Sequence, residues 1–237
     1  MSLLHTVLLE FLISYSEDKL QHAQLARNLA IATTYPVAIP DYRLSPRTGD
    51  PVFIHPAHAQ DVLQFLNFIL SHPSPAFDPG KLAVIGHSCS AHMLSSIFLD
   101  SSAITPSLSP SPKLLHSVKA IIMSEGIYDL DILITSFPSY RERFIYRAFG
   151  IAESYSQFSV LTYPTRPLSD ISWLLLHSKA DSLVNQFQTD AMYNHLFQLC
   201  PQNVFRNVDD LTEEHNVVLR GDRYVELIRQ FIARIFK

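Results

Sequence analysis

Cysteine is nearly absent: Cys89 and Cys200 are the only two in 237 residues. That excludes a scaffold held by disulfides and suits a reducing compartment. The net charge is −4 and no basic stripe appears, so neither nucleic acid nor an anionic membrane surface is expected as a partner. No membrane span is expected either. The apolar N-terminal stretch Leu3–Ile13 is too short, carries His5 and Glu10, and lacks a basic leader and a small-residue cleavage site. It reads as a buried strand or hairpin piece, and cytoplasmic residence is the expectation. No glycine precedes Gly49, and no internal repeat is visible. What is present, 47% hydrophobic and 17% charged residues, suits a globular chain that buries the core of one α/β domain over residues 1–237.

The most informative segment is Leu82-Ala-Val-Ile-Gly-His-Ser-Cys-Ser-Ala-His-Met93. A short apolar run stops at Gly86, a serine follows two residues on, and small residues continue into a helical pattern. This is the layout of a nucleophile elbow, a strand-to-helix turn that holds a serine hydroxyl clear of the backbone. Gly86 and Ser88 meet two of the three fixed positions of G-x-S-x-G, with Ser90 in place of the second glycine. The elbow aims Ser88, not its neighbour Cys89, whose backbone N–H is instead a candidate oxyanion donor. Partners follow in the order such a serine needs. Ile171–His177 reads as a buried parallel strand, and Asp181 falls in the loop after it. Val204–Val208 is the next strand, with His215 in the loop beyond. His215 would take the serine proton, and Asp181 would fix its tautomer and stabilise the imidazolium.

Strands and helices alternate along the rest of the chain. Helices are expected over about Glu17–Ala32 (capped by Ser14 or Ser16), from Pro56 to about His72, and over about Asp222–Phe236. Strands are expected at Tyr35–Pro40 and Val118–Met123. Residues 101–112, rich in serine and proline, read as a surface loop. Residues 130–168 read as short helices dense in aromatics, a lid-like insertion whose rings divide between core and substrate pocket. The pattern predicts a mostly parallel, doubly wound sheet with helices on both faces. His55-x-x-His58 and His87…His92 lack carboxylate or cysteine partners at ligand spacing, so no metal is expected.

Four segments carry a family resemblance: the elbow, Tyr42-Arg-Leu-Ser-Pro46, Glu125-Gly-Ile-Tyr-Asp129 and His177-Ser-Lys-Ala-Asp181. With them goes Asp209-Asp-Leu211 ahead of His215-Asn-Val-Val218. Together they resemble the fungal kynurenine formamidases (arylformamidases), small serine hydrolases of the α/β-hydrolase fold, from about Gln24 to the C-terminus. The resemblance implies Ser88 as nucleophile, Asp181 as acid and His215 as base. It implies N-formyl-L-kynurenine as small-molecule substrate in tryptophan degradation, no cofactor, and it admits a homodimer. It also implies a His-Gly-Gly-x-Trp oxyanion loop before the first helix. Here the corresponding stretch is Val7–Leu12, without glycine, and the first strands of the fold are expected to be incomplete. Weak activity is therefore expected, with a carboxylesterase or a catalytically impaired α/β-hydrolase-fold protein as the alternative readings.

Overall fold

The computed structural model describes residues 5–11, 22–45, 53–72, 74–167 and 169–237, with side chains described from residue 22 onward. Among the described residues six parallel strands form one sheet: β1 (His5–Phe11), β2 (Val37–Ala38), β3 (Phe77–His87), β4 (Val118–Ser124), β5 (Ser172–Leu176) and β6 (Val204–Asn207), in the order β2-β1-β3-β4-β5-β6. After β2 the chain crosses to the far side of β1, so strand order reverses between β1 and β3. Open parallel sheets bind ligands at the carboxyl ends of the strands beside such a reversal.

Period-two alternation explains why the sheet is buried on both faces. Leu82 and Val84 of β3, Ile121 and Met123 of β4, and Trp173 and Leu175 of β5 join one apolar cluster. Their neighbours Ala83, Ile85, Ala120, Ile122, Leu174 and Leu176 join another on the opposite face. The first cluster is covered by α2 (Ala57–Ser71), α3 (Cys89–Phe98), α4 (Pro112–Ser117) and, beyond the 130–168 segment, α7 (Gln186–Leu199). The second is covered by α1 (Ala23–Thr33) and α8 (Asp222–Ile235), where Tyr224, Ile228, Phe231 and Ile232 recur at helical spacing.

The strand expected within Leu3–Ile13 is present as β1, paired to β2 on one side and β3 on the other, because a run of β-formers with partners on both sides completes a parallel ladder. The segment that follows it, and the caps at Ser14 and Ser16, lie outside the described residues. Residues 101–112 are not simply surface. Leu108 is buried, and Arg166 donates to the carbonyls of Ile97 and Leu108 while pairing with Asp100, which fastens the segment to α3. Two short helices, α5 (Leu130–Ser136) and α6 (Tyr146–Phe149), flank a π-helical turn at Arg141–Ile145 in the segment expected to hold short helices.

Candidate active site

The β3–α3 junction is sharp because Ser88 adopts φ 56°, ψ −122°, a conformation L-residues rarely take. Three backbone hydrogen bonds hold it there. Ser88 N–H donates to the Ser124 carbonyl at 2.9 Å, and the Ser88 carbonyl accepts from Ala91 and Ile127 at 3.1 and 3.3 Å. Gly86 is required by proximity: a Cβ there would lie 2.7 Å from Leu94 Cδ1 and 3.0 Å from the Ser90 carbonyl carbon. Ser90, the departure from a second glycine, is accommodated fully buried, its hydroxyl unbonded among the described residues.

Gly126 is tighter still, since a Cβ there would come within 2.3 Å of the Tyr128 ring and 2.7 Å of Ala91 Cβ. Neither neighbour has room to move, both being fully buried. Gly126→Ala is expected to lower stability by about 1–3 kcal/mol or more through overpacking. A fall in the urea midpoint without a change in slope would show it.

Asp181 is oriented by its own turn. Its Oδ1 accepts the N–H groups of Leu183 and Val184 at 2.8 and 3.0 Å, which leaves Oδ2 to accept from His215 Nδ1 at 2.8 Å. The loops carrying the two residues are joined directly. Ser178 Oγ donates to the Glu213 carbonyl, Lys179 N–H to the Leu211 carbonyl, and Ser182 Oγ to Glu214 Oε2. With Nδ1 committed to Asp181, Nε2 is the nitrogen of His215 left for proton transfer. Ser88, Cys89 and His215 line one cavity of about 520 Å³. No hydrogen bond joins Ser88 Oγ to His215 among the described residues; such contacts commonly tighten only when substrate is bound.

Glu125 is the residue the sequence reading missed as part of the site. It follows β4 directly, with φ 50°, and its N–H donates to the Leu176 carbonyl at 2.9 Å. Its Oε2 lies 2.9 Å from His215 Nδ1, with the side chain wholly buried. The available signal was a charged residue ending an apolar strand, at the sheet edge where sites form. Burial pushes Glu125 up to about 7. For His215 burial works against the charged form, but Asp181 and Glu125 outweigh it and raise the imidazole to about 9. Burial also opposes ionisation of Asp181, yet its bond from His215 holds it below the usual carboxylate range.

His87, Glu125 and His215 each bring one metal-ligating atom within 4.8 Å of the others. The grouping is not one that spacing suggests, since it joins the ends of β3 and β4 to the loop after β6. Its His215 contact to Glu125 is at Nδ1, the nitrogen already bonded to Asp181, and His87 Nδ1 is bonded to Ser124 Oγ at 3.0 Å. These bonds leave both nitrogens committed.

The cavity wall is aromatic and apolar. Tyr140, Phe144 and Phe149 from the 130–168 segment line it, whereas Tyr155 is fully buried in the segment's own apolar cluster, against which Phe137 and Phe158 pack. His55, His58 and His92 also line it, and burial lowers all three, His58 and His92 to about 4, so they stand neutral near pH 7. Among the described residues that line it, only Arg143 is a permanent cation and none is a carboxylate.

A carbohydrate esterase from gut microbiota superposes with TM-score 0.71 at 15% identity, covering 98% of this chain and 86% of that one. A fungal esterase from Rhizomucor miehei gives TM-score 0.73 at 15% identity, over 99% and 75%. These likenesses establish the α/β-hydrolase fold. Among curated relatives, kynurenine formamidase of Meyerozyma guilliermondii is 29% identical over 66% of this chain and 57% of its own length. That of Scheffersomyces stipitis is 28% identical over 80% and 74%. The chain thus spans little more than half of the first of these relatives. The similarity to fungal kynurenine formamidases read from the sequence is borne out. The BD-FAE family model matches residues 14–196, well over half of the chain, and to that family the chain belongs.

Proposed function

We propose that the chain is a serine hydrolase of the kynurenine formamidase type, releasing formate from N-formyl-L-kynurenine. The observation that carries the reading is the cavity itself: an aromatic-walled space that Ser88 and His215 both face, with Arg143 on its wall to meet the substrate carboxylate. Ser88 Oγ attacks the formyl carbon as His215 Nε2 takes its proton, and Asp181 stabilises the imidazolium. The tetrahedral intermediate places its oxyanion toward the N–H of Cys89, the first residue of α3. His215 then returns the proton to the aniline nitrogen, which leaves as kynurenine. Water, deprotonated by His215, attacks the formyl ester and releases formate and Ser88. The steps balance with water as the only co-reactant. Neither Cys89 nor Cys200 is in a disulfide, which supports a cytoplasmic location, and no helix among the described residues is long and apolar enough to cross a membrane.

The sequence between β1 and α1 contains no glycine, where the resemblance implies a His-Gly-Gly-x-Trp oxyanion loop. Each missing oxyanion donor costs about 2.7–4 kcal/mol of barrier, and turnover is expected to be low. The deciding measurement compares kcat/KM for N-formyl-L-kynurenine and p-nitrophenyl acetate. Preference for the formamide supports the reading; strong preference for the ester overturns it in favour of a carboxylesterase, the structural neighbours being esterases. No reaction of Ser88 with a fluorophosphonate would favour a catalytically impaired protein. Arg143→Gln is expected to raise KM for formylkynurenine about fivefold, the worth of ~1 kcal/mol for a partly exposed ion pair, and to leave the KM for the uncharged ester unchanged.

A further inference from the structure

One buried carboxyl has no task in the steps above. Glu125 Oε2 and Asp181 Oδ2 lie 2.9 and 2.8 Å from the same atom, His215 Nδ1, and both side chains are wholly buried. That nitrogen carries one proton, and its direction gives it to Asp181. Glu125 Oε2 is left without an aligned donor, while its Oε1 accepts the Ser178 N–H at 3.2 Å. Ser178 is itself tied to the His215 loop through Glu213. Glu125 is thus fixed from two sides, and its left-handed backbone holds the carboxyl against the imidazole edge.

We propose that Glu125 is a positioning residue that acts through His215: a second carboxylate on Nδ1 that stabilises the imidazolium and sets the pH above which His215 is free to act as base. This rests on the reading of Ser88, Asp181 and His215 as a triad. An opposite charge this close favours the protonated imidazole. The two groups titrate as a coupled pair, because Glu125 forms its carboxylate in the interval where His215 must shed its proton. The remaining groups around the pair add little charge of their own. His87, from the end of β3, has its ring centre 4.5 Å from that of His215, and burial holds it neutral. His177, beside Asp181 at 3.9 Å, is lowered by burial, and Tyr140 near Asp181 is a neutral phenol, raised by burial. Asp181 stays ionised throughout.

The sign follows directly. The base must be neutral to work, and a second carboxylate delays its deprotonation. Removing that charge therefore moves the acid limb of the rate profile to lower pH. Glu125→Gln, an isostere that still accepts from Ser178, is expected to lower the limb by about one pH unit or more. Glu125→Asp, which keeps the charge, is expected to leave it nearer the wild-type position. The readouts are kcat/KM for p-nitrophenyl acetate and the rate of Ser88 labelling by a fluorophosphonate, each against pH. Neither needs formylkynurenine to be the substrate, so loss of the formamidase reading leaves this test standing. The His215 titration followed by NMR supplies the same number without turnover. An unmoved limb and an unmoved His215 midpoint in a folded Glu125→Gln protein would overturn the proposal. If that variant does not fold, a wild-type His215 midpoint at or below the ordinary imidazole value would overturn it equally.

Discussion

Ser88→Ala is expected to abolish hydrolysis and fluorophosphonate labelling together, with a loss in kcat on the order of 10⁶-fold where the wild-type rate allows it to be measured. The size follows from the role: without the hydroxyl, neither His215 nor Asp181 has a proton transfer to assist, and the three fail as a unit. The same residue makes a second prediction of opposite sign on stability. Ser88 sits at φ 56°, ψ −122°, and a residue held in such a region stores about 1–3 kcal/mol of strain. Glycine takes that conformation without a Cβ penalty. Ser88→Gly is therefore expected to be as inactive as the alanine variant, yet to melt a few degrees higher, at about 2–4 °C per kcal/mol for a chain of this size. Scanning calorimetry on the three proteins tests it. An alanine variant that keeps its hydrolysis would end the assignment of Ser88. A glycine variant that melts below wild type would show that the strain is not where the backbone places it.

Strain at Ser88 also explains why that part of the site was readable in one dimension. The turn demands Gly86 before it and small residues after it, so geometry leaves a mark in residue type. The strands were readable for a related reason. Burial on both faces makes β3, β4 and β5 nearly continuous in apolar residues, a pattern that solvent-facing strands do not show. Helix α7 left no such mark. Its inner side includes Gln188 and Thr189, both fully buried, while Phe187 and Phe197 face solvent, so the apolar periodicity is broken at both ends. Gln188 is inside because its amide accepts the N–H groups of Tyr128 and Asp129 and donates to the Asp129 carbonyl, all in the turn beyond Glu125. A side chain used to satisfy another segment's backbone is invisible to pattern, because its partner is 59 residues away or more. Glu125 escaped notice for the same cause. Its role depends on the loops after β5 and β6 meeting at the end of β4, which only the strand order reveals.

That meeting of loops also governs what Asp181→Asn does. In a Ser-His-Asp triad this change leaves the geometry but loses the tautomer, and costs roughly 10⁴-fold in kcat. Here a second carboxylate stands at 2.9 Å from the same His215 nitrogen. With Asp181 neutralised, the like charge that opposes ionisation of Glu125 is gone, and Glu125 becomes the acceptor for Nδ1–H. The correct tautomer survives, and the single variant is expected to fall well short of the full 10⁴-fold loss. The double variant Asp181→Asn, Glu125→Gln has no carboxylate left at Nδ1 and is expected to reach it. The two changes are therefore strongly non-additive, the behaviour of groups sharing one partner. A double-mutant cycle on the ester substrate at alkaline pH, where His215 is neutral in every variant, separates this coupling from the shift of the acid limb. If the losses multiply as independent effects, Glu125 does not substitute for Asp181, and the imidazole is oriented by one carboxylate alone.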